Sequence, residues 1–237
     1  PEMSVAPDID VTKAPPGFLW RLVRSPSSAI GLVIVLLLIF CALFADVLAP
    51  YDPNKMGSGG RFLPPSGDFL LGTDEFGRDM LSRILFGGRI TLLVGAVAVG
   101  ISLTIGMAVG MIAAFRRGWI EAILMRSTDV LFSFTETLIA LSFVAVLGPS
   151  LQNAIIAVGV AGIPFYSRTC YSAALVETSK PYFEASIAAG ARPTRMVLVH
   201  LLPNVMPTMI VVATLGVSTA ILAAAGLSFL GLGAQPP

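Results

Sequence analysis

The sequence predicts an all-α, polytopic membrane protein, on three observations. It is 55% hydrophobic and only 12% charged, about half the charged share of a soluble domain. The charge is also clustered: Ser25 to Ala45, Ile90 to Phe115, Thr137 to Ser167 and Leu201 to Pro237 carry no Asp, Glu, Lys or Arg. A helix needs roughly 20 apolar residues to cross the hydrocarbon core, and a soluble fold of this length has no use for four such runs. Finally, the alternating ten-residue segments of a barrel are absent, so the backbone must satisfy its polar groups within helices.

The elements follow in order. Residues 1–28 form a polar, Pro-rich tail ending in "WRLVRSP". The first span covers about 29–48; it is too long for a signal-peptide core and has no convincing cleavage site, so it reads as an uncleaved anchor. A polar loop containing "PYDPN", "GSGG" and "PPSG" runs to Arg89. Span two covers about 90–115, and "RRGWIEAILMR" turns the chain into span three, about 123–147. "GPS" turns it into span four, about 151–171, and span five covers about 205–225. Within span two, Gly106 and Gly110 have the spacing that lets helices approach closely, which favours internal packing over a pore-lining or subunit-facing role. The ending "GLGAQPP" reads as a turn, and a sixth span beyond it is expected.

Basic residues set the orientation. Lys13, Arg21, Arg24, Arg116, Arg117, Arg126, Arg168, Lys180, Arg192 and Arg195 fall on one side under this topology, ten of the fifteen. The positive-inside rule then makes the N-terminus and the segment 177–204 cytoplasmic. A net charge of +1 argues against a nucleic-acid partner and leaves lipid as the surrounding medium. Cys41 and Cys170 have the spacing of neither a disulfide framework nor a metal site, and read as inert thiols.

Catalytic chemistry is sparse. There is no GxxxxGK[ST], and none of the lysines follows a glycine, so a phosphate-cradling loop is not predicted. One histidine, His200, and no His/Cys cluster leave no basis for a metal site. No catalytic residue is assigned. Asp129 and Glu136 are the carboxylates on span three. Seven residues apart, they share nearly one helical face, and Arg126 is placed to pair with Asp129. A structural ion pair, with Glu136 facing a wet cavity or a partner helix, is favoured over a proton or substrate-amine site. The second reading would make the chain an ion-coupled secondary transporter.

The polar segment "TSKPYFEASIAAGARPTRMVLVHLLPNVMP" is the most informative. Ser179 is placed to cap a helix with Pro181 in its first turn, and Glu184 complements the helix dipole. Phe183 and Ile187 share a face and predict an apolar ridge, with Ala185 keeping the helix slim. Gly190 is placed to end it in a left-handed conformation. Pro193 starts a second helix toward His200, Pro203 breaks that run, and Asn204 caps span five. The product is a compact knob.

The spacing of Glu184, Ala185, Gly190, Leu202 and Pro203 resembles the EAA motif of ABC-importer permeases, with Ser186 and His200 departing as in the peptide-permease branch. "LGTDEFGRDMLSRILFGGRITLLVG", Leu71 to Gly95, and "FADVLAPYDPN" are similar to the dipeptide/oligopeptide/nickel permease family, C-type subunit. Thr135 stands where many relatives have proline. The resemblance implies a type I importer permease in a bacterial or archaeal cytoplasmic membrane, with residues 90–237 as its transmembrane domain. It implies a second related permease, two cytoplasmic ABC ATPase subunits or domains carrying ATP and Mg, and an extracytoplasmic substrate-binding protein. It makes Phe183, Glu184, Ala185, Ile187, Gly190 and Pro203 the ATPase-coupling set. Gly72, Thr73, Asp74, Gly77, Arg78 and Asp79 become an extracytoplasmic motif, which the residues themselves cast as a short helix capped by Thr73 or Asp74, with Asp74 and Arg78 paired. That element either orders the entry to span two or contacts substrate.

Overall fold

The computed structural model describes residues 25–233. The tail readings on Lys13, Arg21 and Arg24, and the end of "GLGAQPP", lie outside them. The helices are α1 (Pro26–Leu43), α2 (Ala45–Leu48), α3 (Met80–Arg116), α4 (Trp119–Phe132), α5 (Glu136–Leu147), α6 (Leu151–Thr178), α7 (Pro181–Ala188), α8 (Pro193–Arg195) and α9 (Leu202–Phe229), with a π-helical turn, Met196–Leu201, joining the last two. Four runs are long and apolar enough to cross a membrane, and the α4–α5 pair makes a possible fifth.

The chain divides into two units at Arg89. In the first, α1 exposes Ile34 to Leu38 along its whole surface, as expected of a helix solvated by lipid. The loop that follows is tightly built. Gly57 and Gly59 donate to the carbonyls of Phe76 and Gly77, and Phe62 and Thr73 cross-link the same two segments through Asp74 and Leu63. The expected short helix through Phe76 is absent. Gly72 and Gly77 hold φ values of +77° and +71°, where an added Cβ would lie 2.3 and 2.5 Å from backbone oxygens of Leu63 and Gly59. Those two left-handed positions turn the chain instead of coiling it. The helix starts at Met80, ten residues before the predicted span two, because Asp79 caps it: its carboxylate accepts from the Ser82 N–H at 2.9 Å and the Ser82 hydroxyl at 2.7 Å.

The second unit, from Ile90 onward, is organised on α6, whose Ala154, Ala157, Val158, Ala161, Tyr166, Cys170 and Ala174 are buried. Helix α3 approaches it closely. A Cβ on Gly106 would lie 2.6 Å from the Tyr166 Cβ, and one on Gly110 would lie 2.5 Å from the Ser167 carbonyl oxygen. The small-residue pair thus serves internal packing. The Ser102 hydroxyl donates to the Gly159 carbonyl at 2.6 Å across the same crossing. Cys41 and Cys170 are both free thiols.

Span three is not one helix: α4 and α5 meet at a bend of 89°. Ser133 ends α4, with its hydroxyl returned to the Val130 carbonyl at 2.7 Å. Thr135, extended at φ −66° and ψ 135°, starts α5, its carbonyl accepting from Leu138 and Ile139. Neither glycine nor proline marks the break, so an apolar run conceals it. Pro203 also does not break its run. It sits in the first turn of α9, where its missing N–H is tolerated. The π turn just before it, closed by Leu202 N–H to the Val197 carbonyl, carries the chain on without a stop.

Candidate functional site

The knob is built from the end of α6 outward. Ser179 is the C-cap of α6, its hydroxyl bonded to the Val176 carbonyl, and not the N-cap of α7. That place goes to Lys180, extended at φ −80° and ψ 146°, with Pro181 next. Proline at the first helical position removes one orphan donor and presets φ. Glu184 lies in the first turn and is exposed, where the helix dipole favours its charge.

The end of α7 is a complete Schellman closure. Gly190 has φ +74°; its N–H donates to Ile187 and the Ala191 N–H to Ser186, at 2.9 and 3.1 Å. Both bonds need the left-handed residue between them. An added Cβ at Gly190 meets nothing within 4 Å, so the demand for glycine there comes from the backbone alone.

Phe183 and Ile187 do not form one exposed ridge. Phe183 is 4% exposed and packs in the core with Met196 and Leu201, whereas Ile187 is 58% exposed. Residues four apart lie on one side of a helix, one above the other, but the cover over Phe183 does not extend to Ile187. Here the knob is seated through Phe183 and presents Glu184, Ala185 and Ile187 to the outside. Between α7 and the end of α3 lies a cavity of about 610 Å³ walled by Phe115, Arg117, Phe183, Glu184 and Ile187.

Sequence reasoning missed the polar lock that holds the knob. Glu177 accepts from Lys180 Nζ at 2.6 Å and from the Tyr182 hydroxyl at 2.9 Å. Asn204 Nδ2 donates to the His200 carbonyl at 2.6 Å and reaches the Tyr182 oxygen at 3.4 Å. Asn204 is thus a brace across the π turn and not the cap of a fresh helix. Burial, then the bond to Glu177, pushes the Tyr182 hydroxyl above its ordinary value. The three-residue spacing of Glu177 and Lys180 was the available signal.

In the loop, Thr73, Arg78 and Asp79 are buried. The Thr73 hydroxyl donates to the Gly60 carbonyl at 2.6 Å and accepts from Leu63 N–H at 2.9 Å. The expected Asp74–Arg78 pair is present at 3.2 Å, and Arg83 joins it on the same carboxylate oxygen. Burial alone would raise the Asp74 carboxyl. The N–H groups of Arg78 and Phe76 and the Arg83 guanidinium overcome it and hold the group below its ordinary value. Arg78 also stacks over Phe76, 4.6 Å from the ring centre.

Asp129 and Glu136 are separated by the break and do not share a helical face. Asp129 pairs with Arg168 of α6, not with Arg126. Glu136 opens α5, exposed, against Gly162, where an added Cβ would lie 3.8 Å from Oε1.

Residues 106–237 match the model of the binding-protein-dependent transport system inner membrane component family, and residues 17–65 match the N-terminal TM domain of oligopeptide transport permease C. The chain is 45% identical to the di/tripeptide transport system permease protein DppC of Pseudomonas aeruginosa, over 87% of this chain and 70% of that one. It is 39% identical to a probable D,D-dipeptide transport system permease protein, DdpC, of Escherichia coli, over 92% and 74%. A solved structure of the MetNI methionine ABC transporter, inward facing, superposes with a TM-score of 0.55 and 25% identity, covering 61% of this chain and 73% of that one. The bent, small-residue-packed helices and the seated knob thus come with a match over more than half the sequence: the chain belongs to the binding-protein-dependent transport system inner membrane component family, the permeases of ABC importers.

Proposed function

We propose that this permease carries di- or oligopeptides inward across the cytoplasmic membrane, driven by ATP hydrolysis on partner subunits. The observation that carries the coupling half of this reading is the α7 knob. It is seated through Phe183, closed at Gly190 and locked by Glu177, Tyr182 and Asn204, with Glu184, Ala185 and Ile187 outward. A stiff protrusion transmits displacement, and only contacts that differ between two states can drive a cycle. Pro203 contributes from the first turn of α9, where its fixed φ suits a helix start. The peptide half rests on the names of the DppC and DdpC relatives.

In this reading the N-terminus and residues 177–204 face the cytosol, where two ABC ATPase subunits or domains hold ATP and Mg. The pathway runs between residues 90–237 and a second, related permease, and a binding protein delivers substrate from outside. The loop at Gly72 to Asp79 lies on that outer surface as a rigid entry to α3. The chain itself performs no catalysis. The ion-coupled alternative has lost its basis, since Asp129 is paired with Arg168 and the break parts it from Glu136.

Glu184→Lys tests the docking surface. Charge reversal on the exposed first turn should lower ATPase co-purification several-fold while membrane yield holds. Unchanged co-purification places the docking surface elsewhere.

A further inference from the structure

The α4–α5 break creates a feature that knob and loop leave unused. Glu136 stands at the break, exposed, beside a run from Thr137 to Ser167 with no other charge. Among the described residues no donor reaches its carboxylate. A carboxylate within a span is not left against hydrocarbon; it meets water, a ligand or a partner. A cavity of about 190 Å³ opens beside it, walled by Phe132, Phe134, Pro164 and Phe165. Aromatic faces around one carboxylate are the chemistry that receives an ammonium group.

A second cavity, of about 610 Å³, shares Phe132 and Phe165 with the first and has Arg168 and Asp129 in its wall. The two cavities therefore adjoin, the first carrying the Glu136 carboxylate and the second the Arg168 guanidinium beside its partner Asp129. Glu136 lies against Gly162 of α6, and Arg168 follows on the same helix, about 9 Å along its axis at ~1.5 Å per residue. An extended peptide of two or three residues spans about 7–10 Å. Asp129 takes one Arg168 nitrogen, Nη1, and a guanidinium has further donors for a second carboxylate.

Resting on the peptide reading above, we propose that Glu136 and Arg168 are the two poles of a site for short zwitterionic peptides. Glu136 takes the α-ammonium between the phenylalanine rings. Arg168, oriented by Asp129, takes the terminal carboxylate. The length between the poles favours two or three residues.

The test uses the purified permease–ATPase assembly without its binding protein, so that the receptor's own selectivity does not enter. Alanyl-alanine, its N-acetyl derivative and its C-terminal amide are titrated by equilibrium dialysis. Acetylation should weaken wild-type binding roughly tenfold, the scale of one charge-assisted contact. In Glu136→Gln the acetylation penalty should fall to about onefold while the amidation penalty persists, and Arg168→Gln should show the reverse. Glu136→Asp should keep the acetylation penalty, which a purely structural role would not require. No binding to wild type, or the same acetylation penalty in wild type and Glu136→Gln, overturns the proposal; the latter is the result if Glu136 instead faces the second permease. ATP-driven import of alanyl-alanine by the complete wild-type system is measured in parallel. Its absence overturns the peptide reading and this site with it, whereas import with unaltered penalties rejects the site alone.

Discussion

Gly190 and Asp74 show how single residues set the two built loops. At Gly190 the constraint is backbone alone, since φ is +74° and nothing crowds the α-carbon. An L-residue in that region costs about 1–2 kcal/mol, and a β-branched one resists it further. Gly190→Val should therefore cut ATP-driven uptake several-fold at unchanged membrane yield, while Gly190→Asn, a residue that tolerates this conformation, keeps most of it. Normal uptake by the valine variant, measured in the same vesicles, would contradict the proposed role of the turn. Asp74 is held below its ordinary carboxylate value against the opposing effect of burial. A depressed folded-state value contributes stability that is present above the unfolded value and lost as pH falls through the folded one. Relative to an unstructured peptide that reports pepsin's own pH profile, cleavage within residues 57–79 should thus accelerate as the pH drops below the usual carboxylate range. On the same relative scale, Asp74→Asn should be cleaved faster at the top of the accessible range and show little pH dependence. Equal pH profiles for the two proteins would rule out this carboxylate as the lock.

At the level of elements, the sequence was legible where polarity or glycine marked a boundary. The "GPS" turn appears as read, with Ser150 accepting from Asn153 N–H at 3.1 Å and Asn153 Nδ2 closing on Leu147 and Gly148. Gly190 ends α7 as its position between two short helices predicts. The α4–α5 break was illegible because Ser133, Phe134 and Thr135 interrupt neither hydropathy nor chain with a glycine or proline. The early start of α3 was hidden for a different reason: Asp79 and Ser82 cap the helix within a stretch whose charge suggests a loop. Phe183 was misjudged because helical spacing gives the shared face but not which neighbour buries it. The break itself yields a test. Thr135 has φ −66°, inside the range proline imposes, and as a cap it lies outside the α5 ladder of donors. Thr135→Pro should leave the thermal midpoint unchanged or raise it by a few degrees, as entropy is removed from the unfolded chain. A midpoint lowered by several degrees would mean that the bend needs freedom at Thr135.

For the whole molecule, composition and charge placement were enough to read a multi-spanning helical protein, because lipid leaves few ways to satisfy a backbone. The family emerged from two spaced motifs, and the match over residues 106–237 bears it out. The tertiary ion pair Asp129–Arg168 was not legible, since a contact between α4 and α6 leaves no trace in local spacing. In the proposed cycle, force generated by ATPase partners enters this bundle through a rigid knob and moves peptide inward. The most direct measurement is peptide accumulation in vesicles holding the complete assembly, with the proton and sodium gradients collapsed by ionophores. Accumulation should persist with hydrolysable ATP on the knob side and stop with a non-hydrolysable analogue. Accumulation that survives the analogue and vanishes with the ionophores would contradict the account.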